Sequence, residues 1–252
     1  MAKKSAPKGF GLIIIGSEIL DGRIQDKHFE NTRRLLKERN HAMHYSMILK
    51  DDPRLILEKL HWAMEREEPF FCCGGIGATP DDYTRQCAAD AAGVPLEFHE
   101  QGLVILRNRP GFEMTPSRMK MVEFPKGAEL IPNPVNQIPG FFIANGYFVP
   151  GFPSMAEPMT AWVLDTHFEA GKATVSCTLI LPGAKEADLV PFMEAFTRTH
   201  PHVTFSSLPK FVDGGGTEVH LGISGLPREY EQGLKDLVEA IESHGLEWRE
   251  KS

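Results

Sequence analysis

Short apolar runs alternate with helix-period segments from residue 10 to residue 92, and this alternation limits the possible folds more than any other feature. Phe10–Ile15 (FGLIII) is too short for a secretory core and is followed at once by Gly16-Ser17-Glu18, so it reads as a buried strand. A helix is expected from Asp26 to Asn40, with Phe29, Leu35 and Leu36 on one face. Ala42–Leu49 is a mixed strand. Asp52-Pro53 then opens a second helix, an acidic cap followed by proline in the first turn, with Leu55, Ile56, Leu60 and Ala63 facing inward. Pro69–Cys73 is a third strand, and Asp82–Ala92 a third helix stopped by Gly93. Strands and helices joined in this order by short links imply a mostly parallel sheet covered on both faces. In such a sheet, ligands bind beyond the carboxyl ends of the strands.

Two short helices are expected between Glu100 and Met121, then a proline-rich stretch at 125–153. Within that stretch, Asn145-Gly146 marks a hairpin between Phe141–Ala144 and Tyr147–Val149. Ser154–Phe168 reads as a helix with a Ser154/Glu157 capping box. Beyond Gly171 the order is strand, helix, strand, strand, helix, which is the pattern of a small split α+β domain. The expected domains are therefore 1–170 and 171–252. The glycines at 214–216 read as a link, and residues 1–8 as a frayed tail.

Composition narrows the function. At 252 residues and 42% hydrophobic content the chain can bury a substantial core. A net charge of −7 argues against a nucleic-acid partner. No apolar run approaches the roughly 18 residues of a membrane span. The four cysteines (Cys72, Cys73, Cys87, Cys177) have neither finger nor disulfide-framework spacing, which points to a reducing, cytoplasmic setting.

Three segments at expected strand ends carry chemistry-bearing residues. After the third strand, Gly74, Gly75 and Gly77 permit a sharp turn with amides near a bound group, and Asp81-Asp82 follow. One of these aspartates could equally serve only as the helix cap. After the first strand come Ser17, Glu18 and, at the next helix start, Asp26, Lys27 and His28; Lys27 and His28 oppose the helix dipole there and could reach an anion. After the second strand comes Asp51, which has no obvious capping role once Asp52 caps its helix. Glu18, Asp51, Asp81 and Asp82 thus form an expected acidic cluster in which a divalent cation could bridge carboxylate and phosphate oxygens.

Four segments in order resemble one family. "GGIGATPDDYT" (74–84), "IGSEILDGRIQDKH" (15–28), "PKGAELIPNPVNQIPGF" (125–141) and "VPGFPSMAEPM" (149–159) resemble the N-terminal region of competence/damage-inducible protein A (CinA), within the MoaB/Mog-like molybdopterin-binding superfamily. The resemblance spans roughly residues 10 to 165, with a weaker likeness over the C-terminal part. It implies a three-layer αβα MoaB/Mog-like domain with a mostly parallel sheet, followed by the small α+β domain. It also implies a phosphate-binding glycine loop, with Asp51 and Asp82 as the catalytic acids; joined to the residue reading above, Gly74, Gly75, Gly77, Thr79, Lys27 and Ser17 are expected to bind phosphate or substrate, and Glu18, Asp81 and Asp82 a metal. The expected activity is hydrolysis of ADP-ribose-type pyrophosphates with cobalt, magnesium or manganese. The alternative is molybdopterin binding without hydrolysis, in relation to molybdenum cofactor assembly. A nucleotide or pterin partner and a homo-oligomer, dimer or trimer, are expected on the same ground. Ala78 stands where the family has proline, Tyr83 where it has leucine, and "NQIPGF" where it has "GTAPGF". No room is left by residue 252 for the family's C-terminal deamidase domain, so that activity is not expected.

Overall fold

The computed structural model describes residues 3–212 and 215–251, so Gly214 of the expected glycine link lies outside the described residues. Two compact units divide the chain, Met1–Gly171 and Lys172–Ser252. In the first, the elements run β1 (Phe10–Ile15), α1 (Ser17–Leu20), α2 (His28–Glu38), β2 (Met43–Leu49), α3 (Pro53–Met64), β3 (Phe70–Cys73), α4 (Thr84–Ala92) and β4 (Leu96–Phe98). They continue through α5 (Glu100–Asn108), α6 (Pro116–Met119), β5 (Glu123–Pro125), β6 (Glu129–Ile131), β7 (Gly140–Ile143), β8 (Gly146–Val149) and α7 (Pro153–His167).

A six-stranded sheet in the order β2-β1-β3-β8-β7-β6 forms the centre of this unit. The pairs β1–β2, β1–β3 and β3–β8 are parallel, whereas β7–β8 and β6–β7 are antiparallel. All of β1 and β3 is buried, as central strands with both faces covered must be. Side chains alternate between two cores. Ile13, Ile15, Phe70 and Cys72 meet Ile56 and Leu60 of α3 and Ala88 of α4. Phe10, Leu12, Ile14 and Phe71 meet Leu35 and Leu36 of α2 and Met159 and Val163 of α7. The three-layer arrangement follows directly from this period of two. β1, β2, β3 and β8 run parallel, so the loops after them emerge along one edge of the sheet.

Several local expectations change. Phe29 is 43% exposed rather than part of the inward face of α2. The turn between β7 and β8 is Ala144-Asn145, with Ala144 at φ +53° and Gly146 already paired with Ile143. Asn145 is held there because its side-chain amide donates to the carbonyls of Ala63, Arg66 and Glu68 at 3.0, 2.7 and 2.9 Å. The capping box on α7 does not form, since the helix starts at Pro153 without a side-chain cap. Glu157 instead accepts from Asn31 at 2.9 Å and pairs with Arg34, tying α7 to α2. The N-terminal segment is not wholly frayed: the Lys4 amide donates to the His167 carbonyl and the Glu169 amide to the Lys4 carbonyl.

In the second unit β9 (Val175–Pro182), α8 (Glu186–Thr199), β10 (Thr204–Val212), β11 (Gly216–Gly225), α9 (Pro227–Ser243) and β12 (Arg249–Glu250) build a sheet ordered β10-β11-β9-β12. β9 and β10 flank β11, which is antiparallel to both, as in a split βαβ unit. Leu179, Leu221 and Ile223 pack there with Leu189 and Phe196 of α8 and Leu237 of α9. The two-residue β12 has too little pattern to be read from sequence. Among the described residues, no helix is long and apolar enough to cross a membrane.

Candidate functional site

A cavity of about 600 Å³ opens in the first unit among the loops that follow β1, β2, β3 and β8. Glu18, Lys27, Asp51, Gly74, Gly75, Gly77, Thr79, Asp81 and Asp82 all line it. Ser17 is not on its wall. Tight backbone approach makes this convergence possible. Gly74 and Gly75 adopt φ +104° and +69°, and a Cβ on Gly74 would lie 2.2 Å from the Ile15 carbonyl oxygen. The Gly74 amide donates to the Val149 carbonyl and the Gly16 amide to the Leu49 carbonyl, both at 3.0 Å, so each loop is sewn to a neighbouring strand end. Only glycine fits at Gly74 and Gly75.

The acidic residues share a wall but have separate roles. Asp82 does not cap α4, which starts at Thr84 with no side-chain cap. Its carboxylate turns back into the loop and accepts from the amides of Gly77 at 3.0 Å and Thr79 at 2.8 Å, and from the Thr79 hydroxyl at 2.5 Å. The helix begins late because Asp82 satisfies loop donors instead of helical ones. Asp51 is structural too, since it accepts from the Ser17 amide at 2.8 Å while its own amide donates to Ser17 Oγ at 3.1 Å. That exchange fixes the first turn of α1 and occupies Ser17. Asp26, two residues ahead of α2, accepts from the amides of His28 and Phe29 at 2.9 and 3.0 Å. The Glu18 carboxylate accepts no hydrogen bond among the described residues.

The expected metal ligands Glu18, Asp81 and Asp82 line the cavity without assembling as a three-carboxylate group. Among the described residues, no group of three or more His, Cys, Asp or Glu side chains is disposed to hold a metal ion. Asp82 instead gives its carboxylate to the loop amides of Gly77 and Thr79. His28 is likewise not free to meet an anion. Its ring is buried and its Nε2 lies 3.1 Å from the Gly151 carbonyl, with burial pushing its pKa below the usual histidine value. Lys27 is exposed at the rim and makes no ion pair among the described residues.

Donors remain on the glycine loop. The amides of Gly75, Ile76 and Ala78 donate to no group among the described residues, whereas those of Gly77 and Thr79 are taken by Asp82. Ile24, Phe152 and Met155 supply an apolar wall, with Phe152 66% exposed. A cavity of this size with an apolar wall and a few fixed polar groups suits a small organic ligand.

One residue behind the loop gives no clear signal in the sequence. Arg85 is buried, and its guanidinium donates to the carbonyls of Lys120 at 2.6 Å, Glu123 at 3.2 Å and Gly77 at 2.8 Å. It braces the loop from inside, and burial lowers its pKa although Glu123 and Asp82 oppose that shift. An arginine in the first turn of a helix ordinarily reads as solvated, so only the contacts reveal this role. The thiols of Cys72, Cys73 and Cys87 are buried and free, and burial raises the pKa of each, Cys87 to about 11. They behave as core residues, not nucleophiles.

Comparison with known proteins agrees with this geometry. The family described as "Probable molybdopterin binding domain" matches residues 11–169. A protein of Pyrobaculum arsenaticum is 30% identical over 254 residues, covering 94% of this chain and 96% of its own length. A CinA-like protein of Sulfurihydrogenibium sp. is 33% identical over 187 residues, covering 71% of this chain and 47% of its own length. The chain thus aligns with about half the length of that CinA-like relative. Among solved structures, the CinA protein of Thermoplasma acidophilum, described as of unknown function, matches with TM-score 0.57 and 26% identity, over 63% of this chain and 98% of that one.

Proposed function

The chain belongs to the probable molybdopterin binding domain family, and from that premise we propose that it binds a phosphorylated pterin-type small molecule in the cavity beside the glycine loop. The observation that carries this reading is the composition of the cavity wall. Unengaged amides at Gly75, Ile76 and Ala78 and an unengaged carboxylate at Glu18 face an apolar wall that includes Ile24 and Phe152. A pterin edge offers N–H donors to a carboxylate and a carbonyl to amides, while its fused ring covers the apolar wall. Asp82 then holds the loop in shape rather than taking part in chemistry.

A second reading is hydrolysis of an ADP-ribose-type pyrophosphate with a divalent cation. The free Glu18 carboxylate supports it, together with Asp81 on the same wall. One experiment separates the two. Purified protein is titrated with molybdopterin, and in parallel incubated with ADP-ribose plus cobalt, magnesium or manganese while AMP is measured. Micromolar pterin binding without AMP supports the first reading; AMP formation without pterin binding refutes it in favour of the second. A dimer or trimer is part of the proposal and is tested by light scattering on the eluting protein.

A further inference from the structure

A smaller cavity of about 290 Å³ opens beside the first, and Met121 and Ile138 line both. Its character is different. Arg109 and Arg118 line it together with Phe112, their guanidinium carbons 5.3 and 5.6 Å from the centre of that ring. Stacking of this kind fixes the plane of a guanidinium and leaves its N–H edge available. Arg109 makes no ion pair among the described residues. Arg118 has only loose contacts with Glu113, at 3.7 Å to the carboxylate and 3.5 Å to the carbonyl. Among the described residues, no acidic side chain lines this pocket.

The larger cavity has the opposite balance. Glu18, Asp26, Asp51, Asp81 and Asp82 line it, against the single lysine Lys27. A phosphate dianion at the glycine loop would stand beside the Asp82 carboxylate, which lies 3.0 and 2.8 Å from the amides of Gly77 and Thr79. Two of the loop amides that could receive it already serve Asp82. The arginine pocket has two cations against one nearby carboxylate, that of Glu113 beside Arg118, and arginine pairs with phosphate through parallel N–H···O bonds.

We propose that Arg109 and Arg118 form the phosphate subsite of this protein, so that the ligand lies with its ring at the glycine loop and its phosphate between the two arginines, past Met121 and Ile138. The assignment rests on the reading that the larger cavity takes a phosphorylated ring compound. It makes the ligand a monophosphate ester whose ring and phosphate are joined by a short chain, and it moves the anion away from the glycine turn.

The test uses two fluorescent probes, neopterin monophosphate and neopterin, titrated into the full chain at fixed salt. Wild-type protein is expected to favour the phosphorylated probe by at least about tenfold, the size of one good charge-assisted contact. In the Arg109→Met/Arg118→Met double variant, whose methionines still cover Phe112, that preference is expected to fall to within about twofold. A preference that survives in the double variant overturns the assignment, and so does its loss in Lys27→Met instead. Equal weakening of both probes in the double variant also overturns it, because the arginines would then merely shape the cavity. These outcomes leave the ring site standing; binding of neither probe to wild type refutes the ring site together with the subsite.

Discussion

Replacing Asp82 tests whether this carboxylate is a structural staple. In Asp82→Ala the acceptor for the Gly77 amide, the Thr79 amide and the Thr79 hydroxyl is lost. Hydrogen bonds to a charged group are worth about 1.5–3 kcal/mol each when buried, and about 1 kcal/mol is reasonable here because Asp82 is only half-buried. The freed loop amides can recover part of the loss by hydration, so a cost of about 2–3 kcal/mol is expected. Against a total stability of about 5–15 kcal/mol, this is large. With a urea slope of about 2 kcal/mol per molar, the unfolding midpoint should fall by about 1–1.5 M without a change in slope. Trp62 and Trp162 lie in the first unit and Trp248 in the second, so a Trp248→Phe background reports the first unit alone. Asp82→Asn can keep its oxygen facing the two Thr79 donors but sets its NH2 group against the Gly77 amide, at a cost of at least about 1 kcal/mol. An alanine variant within about 0.5 kcal/mol of wild type would refute the staple and return Asp82 to a free functional role.

Two further outcomes follow from the same geometry. Gly74→Ala should cost at least about 3 kcal/mol by urea titration, because positive φ and collision with the Ile15 carbonyl oxygen add together. Gly93→Ala, at φ +67° with nothing within 4 Å, should cost only about 1 kcal/mol, and equal costs would refute the collision argument. Burial lowers the pKa of His28, His41 and His167 below 6.5, more than Asp26 and the Gly151 carbonyl raise that of His28, while Arg39 and Lys4 add to the fall at the other two. Below pH 6.5 the unfolded chain therefore binds more protons, and stability of the first unit should decline as pH drops from 7.5 to 5.5. A melting temperature independent of pH over that range would contradict this.

Much of the fold was legible in the sequence because it rests on local periodicity. The buried apolar run FGLIII, the Asp52-Pro53 helix start and the Gly93 stop all survive in the structure. So does the placement of the glycine loop at the end of β3. Local signals failed where a distant partner offered a better bond. Glu157 leaves its capping box for Asn31 and Arg34, and Asn145 shifts its turn by one residue to reach three carbonyls at the end of α3.

The candidate site divides along the same line. Residue types and their positions after successive strands determined that Gly74, Asp51, Glu18 and Asp82 would meet at one edge, since parallel strands deliver their following loops there. Which carboxylates stay free could be decided only by tertiary structure, because a carboxylate's role depends on whether nearby amides claim its lone pairs. Asp82 and Asp51 are claimed by Gly77, Thr79 and Ser17, whereas Glu18 is not. The arginines on Phe112 were invisible for the same reason. Arg109 follows the end of α5 and Arg118, nine positions on, lies in α6, and only folding of this segment sets them in one pocket with Phe112 and Ile138.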